Sequence, residues 1–135
     1  MEQKILNLTQ HVATPEQIEA GVFEPSAEDK KEIQKLLTFE EIKETDPWSR
    51  FQRAEKIAKI AIKYFPESYD PEEDDRGRAM IGGAPYFMSK LERALSEFDI
   101  SPMYAFSKRE SVDQPQPDGS VRKVQVFRHA GFVEV

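Results

Sequence analysis

Groups able to do chemistry are few in this chain, which has two histidines and no cysteine. Thiolate nucleophiles, disulfides and cysteine-based zinc sites are thereby excluded. No Ser-His-Asp arrangement can be defended, and no glycine-rich loop followed by Lys and Ser or Thr is present. The remaining candidates are His11 and His129, a Gly82-Gly83 pair, and two arginines, Arg109 and Arg128, near the C-terminus.

His11 follows Thr9-Gln10 at the end of an apolar run. Imidazole titrates near neutrality, so it suits a general acid or base, or a donor to a phosphate oxygen. A histidine in this position also serves to cap the adjacent helix or to close a strand end, and the pattern alone favours that plainer role. In Gly82-Gly83-Ala84-Pro85-Tyr86, two glycines stand between a strand and a helix start. Backbone can approach a ligand closely there, and free amides face an anion. The pair fits a simple tight turn equally well, because the full dinucleotide fingerprint is missing.

His129 follows Arg128 on a final strand, and Ser107 and Arg109 end the strand before it, so the two strands present a polar, basic rim. Arg109 beside Glu110 is as readily a surface ion pair of small worth. The acidic run Asp70, Glu72, Glu73, Asp74 and Asp75 has a spacing that fits no calcium loop, so neither metal nor cofactor is expected.

The elements that must position these groups alternate in type. Lys4–Thr9 reads as a buried strand opening into the Gln10-His11 loop. Thr14-Pro15-Glu16-Gln17 spells a capping box with proline at the first helical position. Gly21 ends that short helix, Val22-Phe23-Glu24-Pro25 makes a brief second strand, and Ser26 caps a helix with Ile33, Leu36 and Leu37 on one side. Asp46-Pro47 begins the longest helix. Its apolar stripe is expected to run from Trp48 and Phe51 through Ala54, Ile57, Ala58, Ala61 and Ile62 to Phe65, with Pro66 as the stop. Residues 67–76 read as a solvated connection.

Ala79-Met80-Ile81 predicts a third strand, and Pro85 opens a helix burying Phe87, Leu91, Ala94, Leu95 and Phe98. Pro102–Phe106 continues as a strand through Arg109. The Asp118-Gly119 turn then predicts a hairpin, with Val121–Phe127 returning antiparallel. Repeated strand-helix-strand units with one terminal hairpin give an α/β class: a Rossmann-like, mostly parallel sheet with helices on both faces and a C-terminal antiparallel β-hairpin. Ligands of such sheets bind beyond the carboxyl ends of strands where the strand order reverses, which selects the Thr9-Gln10-His11 and Gly82-Gly83 loops.

With 135 residues, 39% hydrophobic and 33% charged, one domain over 1–135 is the expectation. No apolar run approaches the roughly 20 residues needed to span a bilayer, and the N-terminus lacks the build of a secretion signal, so a cytoplasmic protein is expected. The net charge of −6 argues against a binder of duplex nucleic acid. That charge is uneven: residues 1–100 hold 14 basic and 21 acidic side chains, and residues 101–135 hold 5 and 4.

Three places together resemble the small stand-alone CARF-like proteins of type III CRISPR systems, in particular the ring-nuclease group that binds cyclic oligoadenylate. They are the strand into Gln10-His11 with Thr14-Pro15-Glu16-Gln17, then Ile81-Gly82-Gly83, then Tyr104–Arg109 with the Pro117-Asp118-Gly119 turn and Val126–Phe132. The resemblance implies a CARF-like domain in a homodimer whose two sheets cradle a symmetric cyclic nucleotide as part of antiviral defence. It also implies ring cleavage by a ribose 2′-hydroxyl without a metal. Gln10, His11 and the Gly82-Gly83 backbone would line the cradle, Arg109 and then Arg128 would stabilise phosphate charge, and the histidines would move protons. Chemistry of this kind asks for orientation and charge stabilisation rather than a strong nucleophile. A sensor or sequestering module that binds the ring without cutting it is the competing reading.

Overall fold

A computed structural model describes residues 4–65 and 76–135. Five strands form one sheet: β1 (Ile5–Asn7), β2 (Val22–Phe23), β3 (Gly77–Met80), β4 (Ile100–Pro115) and β5 (Val121–Glu134). Their order is β2-β1-β3-β4-β5, parallel throughout except for the antiparallel β4–β5 pair. The expected class, a mostly parallel α/β sheet with a C-terminal hairpin, is the class observed.

The helices start where the caps place them. In α1 (Pro15–Glu19), the Thr14 hydroxyl accepts from the Gln17 amide at 3.1 Å and the Gln17 side chain accepts from the Thr14 amide at 3.0 Å. Ser26 caps α2 (Ala27–Leu37), and Asp46 caps α3 (Pro47–Ile62), which has proline in its first turn. Each cap satisfies amides that the helix leaves without a partner. Proline also opens α4 (Pro85–Glu97), where Ala84 offers no side-chain cap.

Helices α2, α3 and α4 pack on one face of the sheet, around Leu6, Leu8, Ala79, Ile81 and Ile100. A smaller cluster of Ile5, Val22, Met80 and Met103 lies on the other face, where the run leading into α1 adds Ala13. Strand alternation explains the division, since neighbouring residues such as Ile5 and Leu6 point to opposite sides.

Three expectations need correction. Trp48 and Phe51 carry the period of the buried stripe but are 63% and 41% exposed, and they stack on each other with centroids 5.6 Å apart. Burial along α3 begins at Ala54. Periodicity fixes which side of a helix is apolar, not how far along it the rest of the protein reaches. The third strand starts at Gly77, two residues before the expected Ala79, and ends at Met80. A Cβ on Gly77 would lie 2.6 Å from the Phe65 ring, so glycine lets that aromatic close over the strand. Finally, Thr38–Thr45, given no element by the sequence, contains a 3₁₀ turn at Ile42–Thr45. Pro66 and the acidic run Asp70–Asp75 lie outside the described residues.

Candidate functional site

The chain leaves β1 toward β2 on one side and later enters β3 on β1's other side, so strand order reverses between β1 and β3. The loops at their carboxyl ends cannot cover each other there, and a cleft of about 520 Å³ opens. Thr9, Gln10 and His11 line it from the β1 loop, Gly82 and Gly83 from the β3 loop, and Tyr104 and Ala105 from β4. Two loops more than seventy residues apart in sequence thus share one site.

The β1 loop is built from below by Asn7, which is fully buried. Its Oδ1 accepts from the Thr9 amide at 2.9 Å and from the Thr9 hydroxyl at 2.7 Å, while Nδ2 donates to the His11 carbonyl at 2.7 Å and to the Glu24 carboxylate. Asn7 therefore ends β1 two residues before the expected Thr9, because its side chain takes over the turn. Lys30 extends the network, donating to the carbonyls of Thr9 and His11 and to Glu24, each at 2.9–3.0 Å. Burial pushes the Glu24 carboxyl up, but bonds from Asn7, the Ala13 amide and Lys30 outweigh it and hold the group below its ordinary value. Gln10 donates to the Thr38 hydroxyl, and its carbonyl accepts from Gln34. With so many backbone groups of this loop tied down, the exposed His11 side chain stands on a fixed base.

The β3 loop is held by geometry rather than by polar bonds. Gly83 has φ +153°, and a Cβ there would meet the Met88 methyl at 3.3 Å. Among the described residues nothing accepts from the amides of Gly82, Gly83 and Ala84, which lead into the N-terminus of α4. Pro85 has no amide, and Tyr86 turns away to an edge contact with Phe39 while its carbonyl accepts from Arg50. The loop is shaped for close approach by an acceptor.

The structure does not bring the expected basic rim to this cleft. Ser107, Arg109, Arg128 and His129 belong to the part of the hairpin beyond the sheet, and none lines the cleft of its own chain. Arg109 lies over the Phe127 ring, 5.4 Å from its centroid. Arg128 sits 3.5 Å from Glu110 and 3.9 Å from Glu16. The His129 amide donates to Glu16 at 3.2 Å, its ring packs on Phe132, and its enclosed Nδ1 has no hydrogen-bond partner among the described residues. Among the described residues no lysine or arginine lines the cleft, and Lys30 beneath it is already engaged. Tyr104 donates to Glu92; burial first, then that carboxylate, raises its phenol well above the ordinary value. Among the described residues no three His, Asp or Glu side chains come close enough to hold a metal ion.

The positioning residues Asn7, Glu24 and Lys30 escaped sequence reasoning. One signal was present: Asn7 is the only polar residue between Ile5 and Leu8, in a run otherwise fit for complete burial. A buried amide must find partners, and the nearby loop is where they lie.

Among the described residues no helix is long and apolar enough to cross a membrane. No curated protein and no solved structure matches the chain. The model of a family described as Uncharacterized protein MJ1673 family matches residues 3–133, nearly the whole sequence with both cleft loops and the hairpin, and the chain belongs to that family.

Proposed function

We propose that the cleft takes a cyclic nucleotide of the oligoadenylate class, and that the protein is a cytoplasmic ring nuclease that cleaves it without a metal. The observation that carries this reading is the pairing, at the sheet's switch point, of a rigidly held His11 loop with the unbonded Gly82-Gly83-Ala84 amides. Amides ahead of a helix suit a phosphate, and a ring with few charges requires a pocket rather than a broad basic surface. In the step implied, a ribose 2′-oxygen attacks the adjacent phosphorus and the bond to the 5′-oxygen breaks. His11 takes the 2′ proton or returns one to the leaving oxygen, and the amides receive the charge that develops on phosphate. The products are a 2′,3′-cyclic phosphate and a free 5′-hydroxyl, with no atom gained or lost.

The second reading is a sensor or sequestering protein that holds the ring intact. His11 is the one histidine lining the cleft and Tyr104 is occupied by Glu92, so a lone acid–base group would have to serve both ends of the reaction. Incubation of the protein with cyclic tetra-adenylate in excess chelator separates the two. A linear product ending in a 2′,3′-cyclic phosphate, lost in His11→Ala, is the expected outcome. Recovery of bound but uncut ring would overturn the enzymatic reading and leave the sensor. No binding at all would overturn both.

A further inference from the structure

β4 pairs with β3 only as far as Met103, and its remaining residues, Tyr104–Pro115, pair with β5 alone. At roughly 3.4 Å per residue this is a two-stranded arm about 40 Å long. It leaves the sheet at the end where the cleft opens, with Tyr104 and Ala105 at its root in the cleft wall. Past the contacts of Arg128 and His129 with Glu16, nothing among the described residues outside the hairpin is recorded against the arm. Phe106 and Phe127 are 49% and 66% exposed, and Val112 faces Val124 across one side. A lone two-stranded ribbon is marginal in water, so an arm of this length and apolar content needs a surface to lie on.

We infer that the surface is a second copy of this chain, and that two copies exchange arms so that each arm closes the partner's cleft. Two observations select this occupant. The cleft offers no lysine or arginine of its own, whereas among the described residues Lys108, Arg122 and Lys123 on the arm have no ion-pair partner. Arm and cleft also face the same end of the sheet, and a two-fold exchange closes on itself and leaves neither unpaired. The inference rests on the proposed cleft and deepens it, since it supplies the phosphate-facing cations that one chain withholds. Arg109 is then a residue of the partner's site.

Because the chain has no cysteine, a disulfide can report the arrangement without nucleotide. One preparation has Arg109→Cys, the other Gln10→Cys, and the two are mixed and oxidised at tens of micromolar. A cross-linked dimer containing one chain of each kind is expected, at least fivefold more abundant than with a control Glu97→Cys partner. Sedimentation should show the unmodified protein as a dimer at that concentration. A monomer, or cross-linking no better than the control, would overturn arm exchange whatever the ligand. Complementation then tests the shared site: His11→Ala and Arg109→Ala/Lys123→Ala chains, each defective alone, should on mixing regain about a quarter of wild-type cyclic tetra-adenylate turnover or binding, the fraction of intact sites in random two-fold pairs. A cross-link without any nucleotide binding leaves the arm exchange standing and removes the nucleotide reading alone.

Discussion

The β1 loop and the hairpin arm leave the same end of one sheet and are held in opposite ways. Under the loop lies a buried side chain whose every polar group has a partner, with Glu24 and Lys30 closing the network. The arm is held by its own ladder, with anchors near its base where Tyr104 donates to Glu92 and Glu16 meets Arg128 and the His129 amide. A site meant to orient a ligand before it arrives needs the first kind of support. An element that must meet another molecule requires the second, because whatever covers it cannot already be covered by its own chain.

The largest effect should come from removing the support. Asn7→Ala removes the buried amide and leaves the part-buried Glu24 carboxylate and Thr9 amide each short of a partner, and should cost about 2 kcal/mol in urea denaturation. Val121→Ala in the arm, assayed at concentrations where the protein is monomeric, should cost less than about 0.5 kcal/mol, because Val121 is exposed. Equal costs would erase the distinction between the two regions.

Next is Gly83→Ala, expected to cost about 2 kcal/mol by placing a side chain at φ +153° against Met88. Calorimetric melting would show it, and ligand affinity should fall with it if the β3 loop is as fixed as the β1 loop. A neutral result would mean that the loop gives way where the β1 loop does not.

The smallest effect concerns pH. Glu24 has its carboxyl held below the ordinary value in the folded chain, so its contribution is present above the unfolded carboxylate range and is lost as pH falls through the folded value. Urea midpoints of wild type and Glu24→Gln should therefore differ at neutral pH and converge in acid. A difference that persists unchanged at low pH would show that packing, not the charged network, holds the β1 loop.

The caps at Thr14, Ser26 and Asp46, the prolines at three helix starts and the Asp118-Gly119 turn act within a few residues of themselves, and each placed its element. The alternation of strand and helix was enough for the class of sheet and for naming Gln10, His11, Gly82 and Gly83 as neighbours of a switch point. Trp48 and Phe51 resisted the same reasoning because exposure depends on where the rest of the protein ends. Asn7 resisted it because its partner Glu24 lies 17 residues away and meets it only once β1 and β2 are paired, with Lys30 joining the network through Glu24 and the loop carbonyls.

Local chemistry, written in adjacent residues, is what the sequence determined by itself: where helices begin, where the chain reverses, and which loops lie at the end of the sheet. Only the tertiary structure decided that the His11 and Gly82-Gly83 loops share one cleft while Arg109, Arg128 and His129 stand outside it. The reason is that strand order and the length of a ribbon beyond its neighbours are set by long-range pairing. Such pairing is fixed by the whole set of packed faces and by no single stretch of residues.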